Sequence, residues 1–292
     1  MAHVPTTPVT LGASRLGERP DGEALADALL ASPLGHVDTS NNYADGRSEQ
    51  FLGDAIRRAG GVPSGKAVFS KADRDPATGI FDAARVRRSL EESLERLGVD
   101  HLPLYQFHDP FTITVDEALA PGGPVEALIA LRDEGVIGAI GIAYGSLAET
   151  RAYVETGLFD VALNHNRYTL VDRSAEELYV RARELGMQVF NAAPFGGGTL
   201  ANGESTYGYH SMPVEFAAHV GRVRELAREA GVDLAAAALQ FSMRSPLVDT
   251  TVVGIPSLAR LDALAGLIEA EVADEFFAAV EALGAPPASG NN

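Results

Sequence analysis

Cysteine is absent from the 292 residues, which excludes disulfides, thiolate metal sites and a thiol nucleophile. Basic residues are scarce: 23 Lys and Arg stand against 40 Asp and Glu, a net charge of −17. Acid and base are mixed along the helical stretches, which describes a hydrated surface. There is no basic face for phosphate contacts, so no nucleic-acid partner is expected. No apolar run reaches the ~18 residues of a membrane span, so no membrane partner is expected either. Residues 1–12 contain neither a basic n-region nor an apolar h-region, so no secretory signal is read and a cytoplasmic location is expected. Three signatures of chemistry are missing as well. No GxGxxG follows the first apolar segment, which disfavours a Rossmann domain. A Ser-His-Asp hydrolase has no GxSxG elbow to stand on. His101, His108 and Asp109 are close in the chain but have no HxH or HExxH spacing, so no metal site is expected.

What is present is a regular alternation. Short apolar segments at 4–11, 35–39, 67–71, 102–107, 138–143, 160–164, 188–192 and 249–253 read as strands. Helical patterns follow at 21–30, 47–59, 82–97, 124–134, 147–156, 174–185, 214–230, 235–244, 258–267 and 272–283. In the third of these, Val86, Leu90, Leu94 and Leu97 hold core spacing until Gly98 stops the helix. Strands alternating with helices imply βαβ units and a parallel sheet. Eight such units at this length predict a single (β/α)8 TIM barrel over residues 1–284, with no second domain. The Pro/Gly/Asn-rich residues 285–292 are expected to be a flexible tail.

Four polar residues stand at the strand-to-loop edge of three successive strands. Asp38 ends the second strand and Tyr43 lies just beyond it; Lys71 ends the third and His108 follows the fourth. Taken singly, each has an ordinary reading as a turn, cap, rim or packing residue. Taken together they fall at the end of the barrel where chemistry is assembled. A phenol has a pKa of about 10, and a nearby ammonium is expected to lower it. A carboxylate paired to the ammonium holds it charged and in place. An imidazole beside the phenol orients a carbonyl or hydroxyl. The cluster is a proton-transfer site at one oxygen; it supplies no redox equivalents, so a redox reaction would need a cofactor.

Asp38-Thr39-Ser40-Asn41-Asn42-Tyr43, with Ser48-Glu49 and Leu52-Gly53 after it, resembles the aldo-keto reductase signature. So does Leu90-Glu91-Glu92-Ser93-Leu94-Glu95-Arg96-Leu97 with His108-Asp109-Pro110 after it. The resemblance covers almost the whole chain. It implies a catalytic tetrad of Asp38, Tyr43, Lys71 and His108, with Tyr43 as proton donor or acceptor, and an extended nicotinamide cofactor. Asn166-Arg167-Tyr168-Thr169-Leu170, Pro194-Phe195, the segment 207–213 and Ala237-Ala238-Leu239-Gln240-Phe241 resemble one branch, the D-threo-aldose (L-fucose) 1-dehydrogenases and their pyridoxal dehydrogenase relatives. That likeness implies oxidation of a sugar hemiacetal at C1 to a lactone. Two other readings stay open: an NADPH-dependent aldehyde or ketone reductase using the same tetrad, and a barrel that binds cofactor without turnover.

The cofactor residues implied are Asn164, His165, Phe195, Gly196, Gly197, Gly254, Ser257 and Arg260. Several depart from the family pattern. Ile142-Ala143-Tyr144 stand where a Ser-Asn pair is common after strand five, and Asn164-His165 where Asn-Gln is common after strand six. Ala192-Ala193 occupy the place of a stacking aromatic. In the adenosine-phosphate motif Gly254 replaces a Lys while Arg260 matches the Arg, and losing one cation favours NAD over NADP. Gly196-Gly197-Gly198 read equally as a close approach to the cofactor pyrophosphate or as a flexible turn. Ser257 reads as a helix N-cap, or as the start of a phosphate-facing helix end. Tyr207, Tyr209 and His210 either line a small sugar or aldehyde substrate or pack within their loop. Oligomeric state is not legible.

Overall fold

The structure is a computed structural model that describes every residue except Arg19, Tyr209 and Asn292. Eight parallel strands close a barrel: β1 (Val9–Gly12), β2 (Gly35–Asp38), β3 (Val68–Ala72), β4 (Tyr105–His108), β5 (Ile140–Ala143), β6 (Val161–His165), β7 (Gln188–Ala192) and β8 (Thr250–Gly254). They hydrogen-bond in chain order, and β8 pairs with β1 to complete the ring. The single (β/α)8 barrel expected from the alternation is the fold.

Twelve α-helices are assigned among the described residues. Those the argument uses are α1 (Gly22–Ala31), α2 (Arg47–Ala59), α3 (Ala83–Leu97), α4 (Val115–Leu119), α5 (Pro124–Asp133), α6 (Leu147–Glu155), α7 (Glu176–Glu184), α8 (Thr199–Asn202), α9 (Val214–Ala230), α10 (Leu234–Met243), α11 (Leu258–Glu269) and α12 (Asp274–Glu281). The long periodic helices match their sequence pattern. The four- and five-residue helices α8 and α4 do not, because a single turn carries no periodicity to read. Residues 206–207 and 210–211 form a small antiparallel hairpin, also too short to announce itself.

Strand alternation sorts the side chains. Phe69, Leu104, Leu163 and Phe190 point into the barrel with Val4 beneath them, while Val37, Val68, Tyr105 and Phe107 face the helices. The same parity sends His36 and Asp38, Phe69 and Lys71, and Leu104, Gln106 and His108 inward, one above the other. The lower layers are apolar; the upper ones carry the polar groups. The first strand is shorter than the expected 4–11. Val4 closes the floor instead, exchanging two backbone hydrogen bonds with the Gln188 side chain at 2.7 and 3.0 Å.

α2 approaches α3 so closely that a Cβ on Gly53 would lie 1.8 Å from the Arg96 carbonyl oxygen. This seats α2, and with it the turn before it, against the barrel. In the segment expected to be a flexible tail, Ser289 and Asn291 are buried, the latter against Gly208.

Candidate active site

The turn after β2 is built to present Tyr43 at the barrel mouth. Asn41 is buried and donates to the Ser89 carbonyl of α3 at 3.1 Å, while Arg96 donates to the Asn41 carbonyl at 2.8 Å. Below it, Glu49 of α2 is fully buried, accepting from Ser70 at 2.5 Å and from Arg96 at 3.2 Å. The turn is therefore tied to two helices and to β3. Tyr43 keeps part of its surface exposed.

Asp38, Tyr43, Lys71 and His108 are brought together. Lys71 Nζ pairs with Asp38 Oδ1, donates to the Thr39 carbonyl at 2.6 Å, and donates to Tyr43 Oη at 3.2 Å. All three ammonium protons are thus directed. The His108 ring meets the Tyr43 ring edge-on, with centroids 5.7 Å apart. Burial disfavours the Lys71 ammonium, but the Asp38 carboxylate and Tyr43 outweigh it and hold its pKa above the ordinary lysine value. Tyr43 departs from expectation. Burial raises its pKa, Lys71 lowers it, Asp38 raises it again, and the net result is about 12. The ammonium alone would have lowered it; desolvation and the carboxylate win.

Two neighbours escaped the sequence reading. Gln106 Nε2 donates to Asp38 Oδ2 at 3.0 Å. Asp73 accepts from Ser40, and its Oδ1 lies 2.7 Å from His108 Nδ1. A signal was available for both. Asp73 is two residues after Lys71 and Gln106 two before His108, so strand parity places each on the face of the residue already singled out.

The residues implied for the cofactor lie across the mouth, at the ends of β6, β7 and β8. Asn164 is buried; its Nδ2 donates to the Tyr144 carbonyl at 2.7 Å, and its Oδ1 has no hydrogen-bond partner among the described residues. Asn166 Oδ1 and Asp109 Oδ1 are also buried without partners among the described residues. Asp109, Asn166 and Ala193 follow β4, β6 and β7 at positive φ, of +42°, +61° and +57°. Non-glycine residues in that region are strained, and such strain collects at working sites. His165 is half-buried, and burial lowers its pKa, so the ring is neutral near pH 7. These unpaired acceptors and the strained backbone beside them fit an amide- and hydroxyl-bearing ligand at this rim.

The glycine turn is not loose. Gly196 and Gly197 adopt φ of +58° and +72°, and a Cβ on them would lie 2.2 Å from the Tyr207 ring and 2.5 Å from the Gly208 carbonyl oxygen. Their first requirement is packing against residues 207–208. Phe195 packs between two apolar clusters. Tyr207 is buried, edge-on to Phe216 and hydrogen-bonded to Thr169 at 2.7 Å, so it packs rather than lines a cavity. His210 is exposed, and Tyr209 lies outside the described residues. Ser257 caps α11 by accepting from the Arg260 amide. Arg260 reaches over to Asn202 of α8, and Gly254 stands in open space.

A profile of the Aldo/keto reductase family matches residues 8–285. The chain belongs to the aldo/keto reductase family. As such it is an NAD(P)-dependent oxidoreductase. It is 28% identical to "Pyridoxal 4-dehydrogenase" of Microbacterium luteolum over 95% of this chain and 94% of that one. It is 33% identical to "D-threo-aldose 1-dehydrogenase" of Pseudomonas sp over 79% of this chain and 78% of that one. Both relatives stand in the branch its motifs resemble. In structure this aldo/keto reductase is similar to "aldo-keto reductase AKR11C1 from Bacillus halodurans (holo form)", with a TM-score of 0.79, 22% identity and 99% of each chain covered. No group of three or more His, Asp or Glu able to hold a metal occurs among its described residues, and no helix among them is long and apolar enough to cross a membrane.

Proposed function

We propose that the protein oxidises an aldose at C1, passing hydride to a nicotinamide cofactor and yielding a lactone. The observation that carries this reading is the Lys71 ammonium, bonded to both Asp38 and Tyr43 Oη at the mouth. The bound cofactor supplies the two-electron acceptor. The chain's own residues handle the proton. The C1 hydroxyl loses its proton to Tyr43, Lys71 holds the resulting phenolate, and Asp38 keeps Lys71 charged. His108 faces the same oxygen and orients it. The departing C1 hydrogen carries the electron pair, so the hemiacetal carbon becomes the lactone carbonyl.

Exposed Phe111 supports a sugar at this rim. It is 60% exposed and sits edge-on to Tyr144, offering an apolar face to the C–H side of a pyranose. Of the two relatives, the one named for an aldose, "D-threo-aldose 1-dehydrogenase", supports the same substrate class. NAD is favoured over NADP. Arg260 is engaged by Asn202, and Gly254 leaves the second cation position empty of side chain.

A second reading has one observation in its favour. Tyr43, with its pKa at about 12, holds its proton, as a donor to a carbonyl would in the NADPH-dependent direction. Initial rates with L-fucose and other aldoses plus NAD, against aldehydes plus NADPH, separate the two. No turnover of any sugar would sink the first reading.

A further inference from the structure

We propose that Asp73 is a positioning residue of this site: its carboxylate takes the His108 Nδ1 proton in a hydrogen bond and so presents Nε2 to the reacting oxygen. The role deepens the proposed function and rests on its placing of His108 at that oxygen.

The argument begins with the accounting of Asp73. Its side chain is 5% exposed. Oδ1 lies 2.7 Å from His108 Nδ1; Oδ2 accepts from the Ser40 hydroxyl and from the Asn42 amide at 3.0 Å. Three elements therefore converge on one carboxylate: the turn after β2, the end of β3, and β4. At 2.7 Å a proton must lie between Oδ1 and Nδ1, since two lone pairs would repel. Burial resists the Asp73 charge, but His108 and the donors from Ser40 and Asn42 hold its pKa below the ordinary carboxylate value. The proton therefore rests on the ring nitrogen. Ser40 Oγ, 3.1 Å from Nδ1, gives its proton to Asp73 and so can only accept from Nδ1, at a longer distance than the 2.7 Å to Asp73 Oδ1.

Once Nδ1 is the donor, Nε2 has two useful states. In the neutral ring it is a lone pair that accepts from a hydroxyl; in the charged ring it is a donor to a carbonyl oxygen. Every titratable group facing the ring bears on the balance. Asp73 from β3 and Asp109, whose Oδ2 lies 3.6 Å from Nε2, favour the charged form. Lys71 from β3 opposes it, while His165 from β6, whose pKa burial lowers, and Tyr43 stand neutral beside the ring. Burial lowers the His108 pKa, Asp73 raises it more, and the net direction is up. Because Ser40 and Asn42 belong to the Tyr43 turn, the same carboxylate also fixes the imidazole relative to the phenol.

Nuclear magnetic resonance of the wild-type protein tests this without substrate, so its outcome is independent of which alcohol or carbonyl is turned over. Proton–nitrogen spectra, with His108 assigned by comparison with His108→Asn, are expected to show a downfield Nδ1 proton and a titration midpoint above 6.5. A neutral ring protonated at Nε2, or a midpoint at or below 6.5, overturns the proposal even if no variant folds. In Asp73→Asn the midpoint is expected to fall by about one pH unit or more. With the branch's sugar substrate and cofactor, kcat is expected to fall at least about tenfold, since the amide can impose the wrong tautomer. The dissociation constant for the cofactor is expected to stay within about twofold. An unchanged midpoint and an unchanged kcat in a folded Asp73→Asn protein also overturn it.

Discussion

Lys71 and Tyr43 share a 3.2 Å hydrogen bond, yet the phenol beside this ammonium is a weaker acid than a free tyrosine. Burial is the largest cause, and the Asp38 carboxylate on the lysine's other side offsets part of the ammonium's lowering. Around the phenol oxygen, one cation, Lys71, and one anion, Asp38, stand beside a neutral Tyr43.

Tyr43→Phe removes the only atom of that ring able to exchange a proton. Turnover is expected to fall by about 10²–10⁴-fold, with cofactor affinity retained. Stopped-flow rates and fluorescence titration of the cofactor check the two halves. Turnover that survives would show that the Tyr43 role is wrong.

Lys71→Met leaves Asp38 buried, with Gln106 as its remaining side-chain donor among the described residues. Removing one partner of a buried pair costs about 3–5 kcal/mol. A drop of that size in denaturant stability is expected together with loss of turnover. Little change in the unfolding midpoint would mean that Lys71 and Asp38 are not a buried pair.

Gly53→Ala tests the helix approach beneath the site. A Cβ there meets the Arg96 carbonyl at 1.8 Å, and backbone cannot step aside cheaply. Overpacking costs about 1–3 kcal/mol. Urea unfolding is expected to show that loss, with cofactor binding preserved in the remaining folded protein.

Gly254→Lys adds a cation where open space surrounds the glycine, on the same rim as Arg260. A new charged hydrogen bond is worth about 1.5–3 kcal/mol. The ratio of kcat/KM for NADP over NAD is expected to rise at least about tenfold. An unchanged ratio would place the adenosine 2′-phosphate elsewhere.

The Asp73–His108 pair gives stability a pH signature. Asp73, held below its usual 3.8, contributes above that value and loses its contribution as pH falls through its lowered pKa. His108, raised above 6.5, contributes fully below 6.5 and loses its contribution as pH rises through its raised pKa. The pair therefore stabilises most between about pH 4 and 6.5. Asp73→Asn is expected to flatten the stability curve in that window, measured by thermal unfolding against pH.

The barrel was legible because its signals are local. The apolar segments and the Val86-Leu90-Leu94-Leu97 stripe state their periods within a dozen residues. Asp38, Lys71 and His108 were legible for the same reason: each interrupts or ends an apolar strand. What tertiary structure alone decided is what lies between those strands. Gln106 meets Asp38 and Asp73 meets His108 only because closing the ring brings residues 68 and 35 positions apart within 3.0 Å of each other. The glycine turn illustrates the same limit, since Gly196 is demanded by Tyr207, a residue that local pattern cannot place against it. The phenol's acidity is the clearest case. Sequence names the cation that lowers it, but only the fold sets the burial and the second charge that raise it.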